Sequence, residues 1–246
     1  MQRLAPQFLT RLLAAVLLAA TVPAQANVVI TGTRIVYPAE QREVTIRLDN
    51  VGKEPALVQA WVDSTEAGTS PSKADAPFLL TPPIFRLDPD KGQSLRLMFT
   101  GATLPADRES VFWLNVLDVP PRPKAADLNY VQLAIRSRIK LFYRPKALPG
   151  SPEQAAQQLQ WQLRSEGSRR WLQVRNNSAF HVSLTQASTR IAGRGYRFSS
   201  EMVAPFSSRE LPLEADEAAA AASGQVSYQA IDDYGATRDY QAPLLP

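Results

Sequence analysis

The sequence predicts an all-β protein built as two sandwich domains. Three observations point there. Short segments alternating apolar and polar residues recur every 8–15 residues or so; prolines cluster between these segments, where they cost no ladder hydrogen bonds; and one break in composition divides the series in two.

Residues 1–26 stand outside the series. Arg3 and Arg11 give a positive start, residues 12–22 (LLAAVLLAATV) an apolar centre, and Ala24-Gln25-Ala26 a small-residue cleavage site before Asn27. This is the pattern of a secretory signal peptide, too short to serve as a stable membrane anchor. No second apolar run of about 18 residues follows, so a soluble, exported chain without a membrane anchor is expected. Removing the segment takes two arginines and no acids, leaving 25 basic residues against 23 acidic ones, a net +2 in place of +4. So small an excess argues against a nucleic-acid partner.

Seven alternating segments follow, at roughly 28–37, 43–50, 56–64, 78–86, 93–100, 110–118 and 129–143. VTIRLDN (44–50) and QSLRLMF (93–99) show the period of two most plainly, apolar on every second residue. The last segment is the unusual one. Val131, Leu133, Ile135, Ser137, Ile139, Leu141 and Tyr143 form one face; Gln132, Ala134, Arg136, Arg138, Lys140, Phe142 and Arg144 form the other, largely cationic one. The thirteen residues from Val131 to Tyr143 make roughly 43 Å of strand, against a usual length of about 5–6 residues. Periodicity leaves two readings open: an ordinary covered strand with a basic solvent face, or an apolar edge kept for pairing with another chain.

RPKALPGSP (144–152) packs three prolines and a glycine into nine residues and marks a domain boundary. The expected division is residues 27–146 and 147–246. Ser151-Pro152-Glu153-Gln154 reads as an N-cap, a first-turn proline and a capping-box glutamine, so a short helical turn should follow. A second series of alternating runs lies near 157–164, 170–176, 180–188, 196–203, 207–213, 224–231 and 237–244. The Ala-rich stretch 214–224 is low in complexity, reads as a loop or a single helical turn, and is assigned no chemistry.

Catalytic machinery is hard to find. With no cysteine there is neither thiol nucleophile nor thiolate metal site, and the single histidine, His181, cannot build a zinc centre alone. No nucleophile-elbow pattern flanks a serine, and no glycine loop could cradle phosphate. His181 is expected to be a partly exposed strand residue. The acidic pairs Asp88/Asp90 and Asp232/Asp233 sit beside turn residues, where aspartate bonds its own backbone.

LPADRESVFWLNVLDVPP (104–121), with IKLFYRP (139–145), resembles the signature of the PapD-like periplasmic pilus chaperones. TRIVYP (33–38), TPPIFRLDP (81–89) and DDYGA (232–236) extend the resemblance over the whole processed chain. It implies two immunoglobulin-like β-sandwich domains joined by a short linker in a boomerang-like arrangement. It also implies a periplasmic protein that is not an enzyme and needs no cofactor or metal. Such proteins capture pilus or fimbrial subunits, which lack their final strand, fill the gap with a strand of their own, and pass the subunit to an outer-membrane usher. On this sequence the resemblance assigns Val131, Leu133 and Ile135 as the donor-strand side chains. It assigns Arg34 and Lys140 to the subunit's terminal carboxylate, and Glu109, Arg144 and Asp233 to an interdomain ion-pair network. So exposed an edge leaves weak self-association of the free protein open. Two departures are visible. Several relatives carry a disulfide in the second domain that this chain lacks, and the connection VPPRPKAADLN (119–129) is short, as in the branch that serves rod-forming pili.

The rival reading is a secreted carbohydrate-binding or adhesive β-sandwich. Such a module displays aromatics on a sheet face or in its loops, whereas Trp61, Trp113, Trp161 and Trp171 fall within alternating runs and read as core or half-buried residues.

Overall fold

The computed structural model describes residues 27–65, 67–68, 70–122, 131–167, 169–198, 201–215 and 224–245. The predicted signal peptide, the start of the 129–143 run and most of the Ala-rich stretch therefore lie outside the described residues. No helix among the described residues is long and apolar enough to cross a membrane.

The first sandwich packs two sheets. One has the order β1-β3-β7-β5, formed by β1 (Val28–Ile30), β3 (Val44–Asn50), β7 (Gly92–Phe99) and β5 (Phe78–Thr81). The other has the order β2-β9-β8-β4-β6, formed by β2 (Arg34–Pro38), β9 (Ile135–Arg144), β8 (Ser110–Val119), β4 (Ala56–Asp63) and β6 (Ile84–Leu87). The predicted alternation supplies the core: Ile46, Leu48, Leu95 and Leu97 from one sheet meet Val58, Val62, Leu114, Val116 and Leu141 from the other. Every second residue faces inward, so each strand gives half its side chains to the core and half to the opposite face.

Two predicted runs each resolve into two strands on different sheets. Residues 28–37 divide at Gly32, whose φ of +97° lies in the region glycine alone enters freely, and β1 and β2 separate there. Residues 78–86 divide at Pro82-Pro83, which cannot donate to a ladder.

The second sandwich begins at α1 (Pro152–Gln157), capped by the Ser151 side chain, which accepts from the Gln154 amide at 3.2 Å. β10 (Gln160–Glu166), β11 (Arg169–Asn176), β12 (Val182–Ile191), β13 (Arg194–Phe198), β14 (Glu201–Val203), β15 (Ser207–Pro212), β16 (Glu214–Ala215), β17 (Gln225–Ile231) and β18 (Thr237–Leu245) complete it. The order is β15-β11-β10-β18-β17-β12-β13-β16, with β14 on β12, and the end of β18 crosses over to pair in parallel with β10. Trp161 fills the middle of this core 5.1 Å from the Tyr228 ring, and the buried Tyr228 hydroxyl donates to the Ala156 carbonyl at 2.7 Å, fastening α1 to the sheet. Trp61, Trp113 and Trp161 are buried and Trp171 is half-buried.

Candidate functional site

The site lies along β9. Strand β8 pairs with β9 along all but its last residue, from Asp118↔Ile135 to Ser110↔Tyr143. On the other flank β2 runs parallel but covers only Lys140 to Arg144, from Arg34↔Lys140 to Pro38↔Arg144. Residues Ile135 to Ile139 thus have one edge that no described strand pairs with. Residues 131–134 of the predicted run lie outside the regular strand, which begins at Ile135, opposite Asp118 of β8. Val131, Leu133 and Ile135 are exposed, at 84%, 72% and 44%. Three large apolar side chains at alternate positions, unburied, make a costly surface for a free protein.

Lys140 and Arg34 stand opposite each other where β2 begins. One Arg34 Nη donates to the Ile231 carbonyl at 3.0 Å, and its guanidinium lies 5.6 Å from the Phe142 ring centre. Its Nε is buried and has no acceptor among the described residues. Burial pushes the Arg34 pKa down, opposed by Asp233, Asp232 and Glu109. Lys140 Nζ donates to Ser183 Oγ at 3.3 Å, across the domain junction.

The cationic face of β9 is not simply solvated. Arg138 donates to the buried carboxylate of Asp63 at 2.6 Å and to Asn115 at 3.1 Å, and stacks over Trp113 at 4.9 Å. Asn115 in turn donates to the other Asp63 oxygen at 3.0 Å. This polar cluster braces β4, β8 and β9 just beside the open edge.

At the far end of β9 the structure brings Glu109, Arg144 and Asp233 together. Arg144 Nε donates to Glu109 at 2.7 Å, and its two terminal nitrogens form a fork on Asp233 at 2.7 and 2.9 Å. Burial alone would lower the Arg144 pKa; the bond to Asp233 and the charges of Glu109 and Asp233 outweigh it and hold the pKa above its ordinary value. The second Glu109 oxygen accepts the His181 backbone amide at 2.8 Å and lies 3.3 Å from its ring Nδ1. The His181 side chain is therefore covered, at 5% exposure, by Glu109 and Phe142, 5.5 Å from that ring, while the residue as a whole is half-buried, just ahead of β12. The sequence predicts a partly exposed strand residue; the residue is half-buried and sits one position ahead of the strand, with its ring turned into the junction beside a carboxylate only 2% exposed. No spacing rule ties His181 to Glu109, 72 residues away in sequence. Asp232 keeps the turn role expected of it, accepting the amides of Tyr234 and Ala236. These groups surround a cavity of about 270 Å³ between the domains, whose lining includes Arg34, Phe142, Arg144, His181 and Tyr234.

A family model described as "Pili and flagellar-assembly chaperone, PapD N-terminal domain" matches residues 27–149, and one described as "Pili assembly chaperone PapD, C-terminal domain" matches residues 154–242. The chain is 45% identical to the chaperone protein FimB/FhaD of Bordetella pertussis over 238 residues, 94% of each chain. It is 40% identical to a probable fimbrial chaperone of Escherichia coli, YadV, over 89% of this chain and 90% of that one. The crystal structure of the YadV chaperone superposes with a TM-score of 0.74 at 39% identity, covering 89% of this chain and all of that one. A chain from the Salmonella enterica SafA pilin–SafB chaperone complex gives 0.74 at 29% identity, covering 91% of this chain and 99% of that one. These descriptions are of assembly chaperones, not of enzymes.

Proposed function

This chain belongs to the PapD-like family of pili assembly chaperones, and on that premise we propose that it captures pilus or fimbrial subunits in the periplasm by lending them Val131, Leu133 and Ile135 as a missing strand. Residues 1–26 are read as the signal peptide that sends it there, with residues 27–146 and 147–246 as its two domains. Delivery of the captured subunit to an outer-membrane usher completes the reading.

The observation that carries it is the half-covered edge of β9. An incoming strand in line with β2 would run parallel to β9 along Ile135–Ile139, and its C-terminal end would arrive at Arg34 and Lys140. A terminal carboxylate there meets two cations and the Arg34 Nε donor, which has no acceptor among the described residues. Main-chain bonds along the edge supply affinity, and the alternate side chains supply register. Anchoring the carboxylate fixes that register, since a slip of one residue turns Leu133 to the wrong face. The network of Glu109, Arg144 and Asp233 holds the domains at a set angle, so that the carboxylate site is assembled before the subunit arrives.

Co-expression with a cognate subunit should yield a one-to-one complex. Arg34→Ala and Lys140→Ala should each abolish it while leaving the fold intact, as judged by circular dichroism and thermal melting. Normal complex recovered from both variants would overturn the carboxylate site.

A further inference from the structure

Asp118 is the buried acid that the reading above does not use. It lies on β8 between Val58 of β4 and Ile135 of β9, at the end of the sheet from which the proposed donor residues emerge. It is only 5% exposed, and its Oδ1 has no hydrogen-bond partner among the described residues. Burial raises its pKa, and hydrogen bonds from the backbone amides of Val28 and Asn27 oppose the rise. Asn27 is itself held: its carbonyl accepts the Val51 amide at 2.8 Å, and the next residue, Val28, pairs with Asn50.

Asn27 is also the residue that the cleavage pattern Ala24-Gln25-Ala26 places first in the processed chain. We infer that removing the signal peptide creates an intramolecular ion pair, in which the new α-ammonium of Asn27 binds the buried carboxylate of Asp118 and locks β1 onto the donor end of the first domain. Hydrolysis of the Ala26–Asn27 amide by a leader peptidase adds water across the C–N bond. Ala26 leaves as a carboxylate, and Asn27 keeps an ammonium with three N–H donors in place of one. In the uncleaved chain the same nitrogen is a neutral amide with one proton, which cannot also serve the unpaired oxygen. An uncompensated buried carboxylate is unfavourable, and a cation at hydrogen-bond range relieves it. The precursor therefore carries a defect at the end of its binding sheet that export repairs.

The inference rests on the exported-chain reading, and the test separates the two. N-terminal sequencing of protein recovered from the periplasm comes first. A chain still carrying residues 1–26 would sink the export reading, and a processed chain starting elsewhere than Asn27 would sink only the ion pair. With Asn27 confirmed, NMR titration of the α-amine should give a pKa about one unit or more above the ordinary 7.7–8.0, because the carboxylate favours the charged form. Asp118→Asn should return it to the ordinary range. As the raised pKa belongs to the folded state, the added stability is full below the ordinary amine pKa and fades as pH rises through the folded one. A chain retaining Ala26, which keeps Asp118 and displaces the charge by one residue, should lose about tenfold in its folded-to-unfolded ratio at pH 7. That comparison stands even if Asp118→Asn fails to fold. An ordinary amine pKa in the Asn27 chain, or equal stability with and without Ala26, overturns the pair.

Discussion

The two ends of β9 are opposites. At its N-terminal end Ile135, with Val131 and Leu133 just ahead of the strand, presents apolar side chains to water, and from Ile135 to Ile139 one edge is paired with no described strand. At its C-terminal end Arg144 is clamped by Glu109 and Asp233 from two domains and paired with β2, while β8 flanks the strand as far as Tyr143. One end is short of partners and the other has them all. On the proposed reading the difference is a division of labour within a single strand: the angle of the domains and the root of the edge are held fixed, and the part left open is the one offered to another chain. Rigid anchoring at one end lowers the ordering cost of the other on binding.

The sharpest way to break the contrast is Leu133→Glu. The exposed position makes stability insensitive, within about 0.5 kcal/mol as for ordinary surface substitutions. Binding of a subunit should fall by several kcal/mol, about a thousandfold or more, because a carboxylate would enter an apolar groove. Isothermal titration or competition against the unsubstituted chaperone measures it, and undiminished binding would refute the assigned register. Arg144→Ala attacks the other end and should act first on stability. Removing the cation strands Glu109 and Asp233 at the junction, and losses on breaking buried pairs run about 3–5 kcal/mol; partial solvent access to Arg144 puts this one near 3. Urea unfolding should show the loss, with the single transition separating into one per domain. Subunit affinity should also fall, since the angle that assembles Arg34 and Lys140 is no longer enforced.

Legibility in the sequence followed the same division. The exposed end was readable because a period of two is a local signal, and an apolar face with no apparent cover is itself informative. The assignments of Arg34, Lys140, Glu109, Arg144 and Asp233 came through resemblance; nothing in composition or spacing distinguishes Arg34 from Arg42 or Lys140 from Lys146. Glu109 and Asp233 lie 35 and 89 residues from Arg144, and only the folding of two domains brings them together. Strand boundaries are hidden where a turn sits inside an apolar run: Gly32 and Pro82-Pro83 transfer the chain between sheets without interrupting hydrophobicity. The basic face of β9 was read by charge alone, and the carboxylate of Asp63 that holds Arg138 comes from a strand 75 residues earlier. Asp118 was invisible as an exception, since one acid in an alternating run looks like one more outward residue.

The smallest effect tests the member of the junction that no pattern announced. His181 supplies Glu109 with two contacts, one from its backbone and one from its ring. His181→Ala removes only the ring, so the 2.8 Å amide bond and both Arg144 bonds to Asp233 persist. What is lost is one side-chain contact to a carboxylate and the packing against Phe142, together about 1–2 kcal/mol. The melting temperature should fall by a few degrees, with one cooperative transition retained and subunit affinity within about twofold of the parent. A loss as large as that of Arg144→Ala would mean that the ring, rather than the guanidinium, keeps Glu109 in place. It would shift the anchor of the domain angle from β9 to the loop ahead of β12.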